Sequence, residues 1–155
     1  MEIFLVRHGE AKHDHEDPRR SLTDGGRAAV ATVARAAAAK KVRIEKILHS
    51  EKLRAKETAE ILAGALSPAR GIREISGLAP EDDPLIAKIE IEASSEPLML
   101  VGHLPHIDRL AALLLTGDSE SAAVDFTPAT MACLSRAGGA WSLIWILRPE
   151  SVRRS

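Results

Sequence analysis

The sequence predicts an α/β fold, a three-layer sandwich whose mostly parallel central sheet has an antiparallel edge and carries helices on both faces. Three observations predict it. Short apolar runs alternate with segments of helical period up to about residue 117, the pattern of repeated β-α units. Two of the runs, Ile3-Phe4-Leu5-Val6 and Leu98-Met99-Leu100-Val101, are apolar throughout, as strands covered on both faces are. The C-terminal part holds two further apolar runs separated by Gly138-Gly139, a hairpin signal that adds the antiparallel edge.

Taken in order, the first strand, Ile3 to Val6, runs directly into Arg7-His8-Gly9. A polar loop, His13 to Arg20, follows, and Thr23 or Asp24 then caps a helix extending to about Lys40. Val30, Val33, Ala34 and Ala37 form its buried stripe. Ile44 to His49 reads as the second strand, and Ser50 as the N-cap of a helix through about Ala63, closed by Gly64, with Ala55, Ala59 and Leu62 on one face. Ile72 to Ile75 is a short strand, Leu78 to Pro84 a carboxylate-rich loop, and Leu85 to Ala93 a short helix. Pro97 precedes the strand Leu98 to Val101. After Pro105, the spacing of Ile107, Leu110, Ala111 and Leu114 marks a helix that Gly117 ends. Met131 to Leu134 and Trp141 to Leu147 form the hairpin, and a period of two puts Trp141 and Trp145 on the same strand face as packing residues.

The chain of 155 residues fits one domain, 1–155, large enough to bury about two-thirds of the surface its unfolded chain exposes. With 21 basic and 22 acidic side chains the formal net charge is −1, which points to neither a nucleic-acid nor an anionic-membrane partner, so any anion selectivity is local. The single cysteine, Cys133, excludes an internal disulfide framework, reads as a buried inert thiol and suits a reducing cytoplasm. The N-terminus has neither a basic leader segment nor a sustained apolar one, and no apolar stretch is long enough to span a bilayer.

Two histidines and two glycines stand where the sheet should deliver chemistry. His8-Gly9 follows the first strand and Gly102-His103 follows the fourth, and open α/β sheets place their ligands outside the carboxyl ends of the strands. Arg7 adjoins His8, and Arg54 falls in the first turns of the helix after the second strand, where it adds to the partial positive charge of a helix end. If the strands are parallel, all four side chains lie on one sheet edge. A histidine with its ordinary pKa near 6.5 already offers a lone pair at neutral pH, so it can attack phosphorus without a metal or other cofactor. Guanidinium forks suit the charge that spreads over a transferring phosphoryl group. Gly9 is expected to let the backbone bend out of the strand and admit a phosphate close to the main chain.

Leu5-Val6-Arg7-His8-Gly9-Glu10 resembles the signature of the histidine phosphatase superfamily, the phosphoglycerate mutase-like fold. The resemblance continues through Leu22-Thr23 and Gly26, through Ser50 with Leu53-Arg54-Ala55 and Thr58-Ala59, and through Val101-Gly102-His103. It implies that His8 is transiently phosphorylated, that Arg7 and Arg54 hold the phosphate, and that His103 donates a further hydrogen bond, with the backbone near Leu104 assisting. One departure is Glu51, where the family often has proline. Another is length, which leaves little room for the insertion that supplies a lid and an acid in mutases and many small-molecule phosphatases. Compactness, Leu78-Ala79-Pro80-Glu81-Asp82-Asp83 and Gly102-His103-Leu104-Pro105 are most similar to the SixA-type phosphohistidine phosphatases, which implies a phosphorylated histidine-containing protein as substrate.

Two other functions compete with this one: hydrolysis of small-molecule phosphate monoesters on the same fold, and noncatalytic binding of phosphoproteins. An alkoxide leaving group needs a proton as it departs, whereas imidazole leaves more readily. Glu81, with Asp82 and Asp83 beside it, is the candidate proton donor, against the plainer reading of a solvated turn. His13-Asp14-His15-Glu16-Asp17 has metal-like spacing but reads as a solvated loop that shapes the substrate entrance, and no metal is expected. His49 and His106 border the site in sequence and read as structural.

Overall fold

The computed structural model describes residues 1–152, so the last three residues of the expected domain lie outside it. The elements are β1 (Glu2–Arg7), α1 (Asp24–Ala39), β2 (Lys46–His49), α2 (Leu53–Leu66), β3 (Ile72–Glu74), α3 (Pro84–Ala93), β4 (Leu98–Gly102), α4 (His106–Thr116), β5 (Met131–Ala137), β6 (Ala140–Leu147) and α5 (Pro149–Val152). They build one sheet of order β3-β2-β4-β1-β5-β6. The pairs β3-β2, β2-β4 and β4-β1 are parallel, and β1-β5 and β5-β6 are antiparallel, so the predicted architecture is the observed one.

Successive residues of a strand point to opposite faces, and the apolar runs use both. Ile3 and Leu5 of β1 join Leu98 and Leu100 of β4 in a core layer with Ile91 of α3 and Ile107 and Leu110 of α4. Phe4 and Val6 join Met99 and Val101 in a second layer with Val30 and Val33 of α1 and Ala55 and Leu62 of α2. Burial on both faces explains why these strands are apolar throughout. Thr23 caps α1 as expected, accepting from the Gly26 amide at 2.9 Å, and Gly117 ends α4 in the left-handed region at φ 82°.

Register brings the chemistry to one edge. Arg7 pairs with Gly102 and His49 with Val101, so β1, β2 and β4 deliver Arg7-His8, His49-Ser50 and His103 side by side at their carboxyl ends.

Three expectations change. Helix α2 begins at Leu53 with Lys52 as N-cap, later than expected, and the Ser50 hydroxyl meets His103. The helix then runs through Gly64, whose Cβ position is open space, to a left-handed Ser67 at φ 49° ahead of Pro68. Trp141 and Trp145 lie on opposite faces: Cys133 pairs with Trp145 but Leu134 pairs with Leu143, so Ile144 is an extra residue in a bulge that reverses the alternation. Trp141 packs beside α3, its indole donating to Glu92 Oε2 at 3.3 Å, while Trp145 meets Phe4 on the other side with ring centroids 5.9 Å apart. Strand β2 is shorter than expected, starting at Lys46 because the Glu45 amide bonds to Pro97 ahead of the ladder.

Candidate active site

The end of β1 is pinned from both sides. The Arg7 amide donates to the Thr130 carbonyl and the His8 amide to the Gly102 carbonyl, both at 3.0 Å. Arg7 Nη1 donates to the Phe126 carbonyl at 2.9 Å, which fixes the guanidinium. His8 then turns its Nδ1 to the carbonyl of its own neighbour, Gly9, at 2.6 Å. A carbonyl only accepts, so Nδ1 carries the ring proton and Nε2 keeps its lone pair. Burial pushes the His8 imidazole down to about 4, with Arg54, Arg7 and Arg20 adding to the effect and the bond to Gly9 opposing it. The ring is neutral at physiological pH.

Arg54 stands in the first turn of α2, and its carbonyl accepts from Thr58 Oγ1 at 2.8 Å. The same hydroxyl oxygen accepts from the Gly9 amide at 3.1 Å, so a fully buried threonine couples the loop after β1 to the helix bearing Arg54. His103 leaves β4 almost wholly buried, its ring centroid 4.9 Å from that of His8. Its Nε2 lies 2.6 Å from Ser50 Oγ. That hydroxyl also accepts from the Lys52 amide at 3.3 Å, and a ring that takes the hydroxyl proton at Nε2 carries its own proton on Nδ1. Burial, followed by the charges of His8, Arg54 and Lys52, pushes His103 down to about 2, so this ring is also neutral.

Buried polar groups normally find partners, and those left without one call for an explanation. Arg7 Nε, Arg54 Nε and His103 Nδ1 are all buried without a hydrogen-bond partner. Among the described residues neither Arg7 nor Arg54 has a carboxylate within ion-pair distance. Three donors without partners, two of them on the guanidinium groups whose charges act on His8, thus accompany an imidazole that keeps its Nε2 lone pair. An arrangement of this kind is chemically able to accept a tetrahedral anion and to offer it a nucleophile.

The structure thus brings together His8, Arg7, Arg54 and His103. Gly9 has a packing task that the sequence reading did not foresee: its backbone is not left-handed, its amide is engaged by Thr58, and a Cβ would lie 2.7 Å from Val30 Cγ2. It is small because α1 packs against it. Leu104 follows His103 and is 40% exposed. Glu81 is 81% exposed on its turn, 3.8 Å from Arg109 Nη1, and Asp82 and Asp83 are spent on the Ala79 and Leu85 amides. In the loop after β1, the rings of His13 and His15 stack at 5.5 Å, and Asp17 accepts from Ser21. Among the described residues no cluster of three or more His, Cys, Asp or Glu is placed to hold a metal ion, and no helix is long and apolar enough to cross a membrane. His49 is buried with Nδ1 on the Ser50 carbonyl at 2.8 Å, His106 is fully buried, and burial pushes the Cys133 thiol up to about 12.

Sequence reasoning missed the parts played by Ser50, Thr58 and Arg20. Arg20 has φ 51°, its Nε donates to the Lys12 carbonyl at 2.9 Å, and its charge acts on both His8 and Arg54. The signal for Thr58 was its place one turn after Arg54 on the buried face; for Arg20 it was a cation just ahead of the Leu22-Thr23 helix start.

A neutral, half-buried histidine beside guanidinium groups that have no carboxylate in ion-pair distance among the described residues, at the carboxyl edge of this sheet, is a constellation suited to handling phosphoryl groups. The chain belongs to the histidine phosphatase superfamily (branch 1), whose family model matches residues 3–80. It is a hydrolase, a phosphatase of that superfamily. It is similar to the phosphohistidine phosphatase SixA of Escherichia coli (strain K12), 29% identical over 124 residues that cover 77% of each chain. An uncharacterized protein of Picosynechococcus sp. is 36% identical over 127 residues, covering 77% of this chain and 76% of that one. A solved structure of the protein histidine phosphatase SixA complexed with tungstate superposes with a TM-score of 0.87 at 26% identity, covering 98% of this chain and 99% of the other.

Proposed function

We propose that this protein, acting as a single domain, removes phosphoryl groups from phosphorylated histidines on other proteins through a covalent phosphohistidine at His8. In the first step His8 Nε2 forms a bond to phosphorus as the bond from phosphorus to the substrate imidazole breaks. In the second, water attacks the phosphohistidine, phosphate departs and His8 regains its lone pair. Arg7 and Arg54 hold the equatorial oxygens in both in-line transfers, and His103 donates its Nδ1–H to one of them. Cationic side chains do the work of charge neutralisation, so the reaction needs no cofactor.

The observation that carries this reading is the bond from His8 Nδ1 to the Gly9 carbonyl, which leaves Nε2 free beside the unspent donors of Arg7, Arg54 and His103. The similarity to SixA, including the structure with tungstate, an oxyanion of phosphate-like shape, supports the same assignment. The leaving group favours phosphohistidine over phosphate esters: an alkoxide calls for an enclosed acid, and Glu81 is an exposed carboxylate facing Arg109. A cytoplasmic location fits the single free cysteine.

The test is phosphate release from a histidine-phosphorylated phosphotransfer protein set against release from sugar phosphates and p-nitrophenyl phosphate. The expected result is a higher kcat/KM on the phosphoprotein. Faster turnover of a sugar phosphate would place the enzyme among the small-molecule phosphatases of its superfamily.

A further inference from the structure

Beside Arg54 a groove of about 680 Å³ opens between the loop after β1 and the start of α2. Its walls carry five cations, Arg19, Arg20, Lys52, Arg54 and Lys56, against three carboxylates, Asp14, Glu51 and Glu74. The chain as a whole has slightly more acidic than basic side chains, so this surplus is local. Only Lys52 has an ion pair there, with Glu51 at 3.8 Å; among the described residues the other four have no carboxylate within ion-pair distance. Arg19, Lys52 and Lys56 are exposed, while Arg20 and Arg54 are half-buried where the groove meets the catalytic groups. Unneutralised cations crowded together repel one another, and an arriving anionic surface relieves that repulsion.

The walls hold no aromatic side chain on which a nucleic-acid base would stack. The groove is broad and open where a small phosphate needs only the orphaned donors around His8. We infer that this basic groove is a docking surface for the protein substrate, selecting a partner whose phosphohistidine is bordered by carboxylates. This inference rests on the proposed action on phosphorylated proteins. The groove raises the encounter rate and fixes the orientation in which the phosphoryl group reaches His8; of its wall residues only Arg54, at its inner end, also serves the chemistry.

The experiment uses the double variant Arg19→Glu/Lys56→Glu, both exposed and outside the catalytic groups. Two probes are compared, free phosphohistidine and a histidine-phosphorylated phosphotransfer domain with an acidic face. The expected result is a fall of about tenfold in kcat/KM on the phosphodomain, with a weaker dependence on salt, and an unchanged rate on free phosphohistidine. An equal loss on both probes would overturn the inference by assigning the groove to small substrates, and so would an unchanged rate on the phosphodomain. If wild-type protein hydrolyses p-nitrophenyl phosphate but neither phosphohistidine probe, the underlying functional reading fails and the docking surface fails with it.

Discussion

The Gly9 amide donates to Thr58 Oγ1 at 3.1 Å, and the same hydroxyl donates to the Arg54 carbonyl at 2.8 Å. One buried side chain therefore sets the distance between the backbone that orients His8 and the helix that carries Arg54. Thr58→Val keeps the shape but leaves the Gly9 N–H without a partner. It should cost about 1–3 kcal/mol in denaturant unfolding and lower kcat, whereas Thr58→Ser should restore both.

Arg54 offers a planar fork with an unspent Nε and no competing carboxylate. Arg54→Ala should reduce kcat by about 10²–10³, the usual cost of removing a donor from a transition-state anion. Arg54→Lys keeps the charge without the fork and should recover only part of the loss. Steady-state kinetics on a phosphohistidine substrate, with tungstate binding measured by calorimetry, checks both.

The half-buried imidazole of His8 should titrate near 4, not near its ordinary value of about 6.5. An NMR titration of the ring reads it directly, and the acid limb of kcat/KM on free phosphohistidine should follow it. Stability has a matching dependence. The unfolded chain protonates this histidine near 6.5 and the folded one near 4, so between those values the unfolded state holds more protons. The His8 contribution to stability is therefore intact above about pH 6.5 and is lost as pH falls from there towards 4.

Gly26 lies against the loop after His8, and a Cβ there would stand 2.2 Å from the Glu10 carbonyl oxygen. Backbone cannot move aside as a flexible side chain can. Gly26→Ala should destabilise the fold by about 1–3 kcal/mol and depress kcat by shifting the Gly9-Glu10 segment that anchors His8. Thermal unfolding together with kinetics at a temperature where the variant is folded separates the two effects.

What the sequence disclosed and what it hid divide along the range of the interactions. Thr23 and its helix were legible because a cap bond spans only a few residues, and Gly117 because a left-handed C-cap is a local requirement. The convergence of His8, Arg54 and His103 followed from their places just after strands read as parallel. Ser50 misled because its hydroxyl, besides accepting from the nearby Lys52 amide, meets a histidine from β4 far along the chain, and the helix itself starts later, at Leu53. Trp145 misled because a single extra residue, Ile144, reversed the face of everything after it, and nothing in the alternation announced the bulge. Arg20 was invisible for a similar reason: its left-handed backbone and its bond to the Lys12 carbonyl are products of the folded loop.

The central claim is that His8 carries the phosphoryl group between the two steps. Rapid quenching of turnover on a labelled phosphohistidine protein, followed by peptide mapping, measures it. Acid-labile label should be found on the peptide containing His8, and His8→Ala should show neither label nor phosphate release. Undiminished turnover by His8→Ala, or label on another residue, would contradict the account.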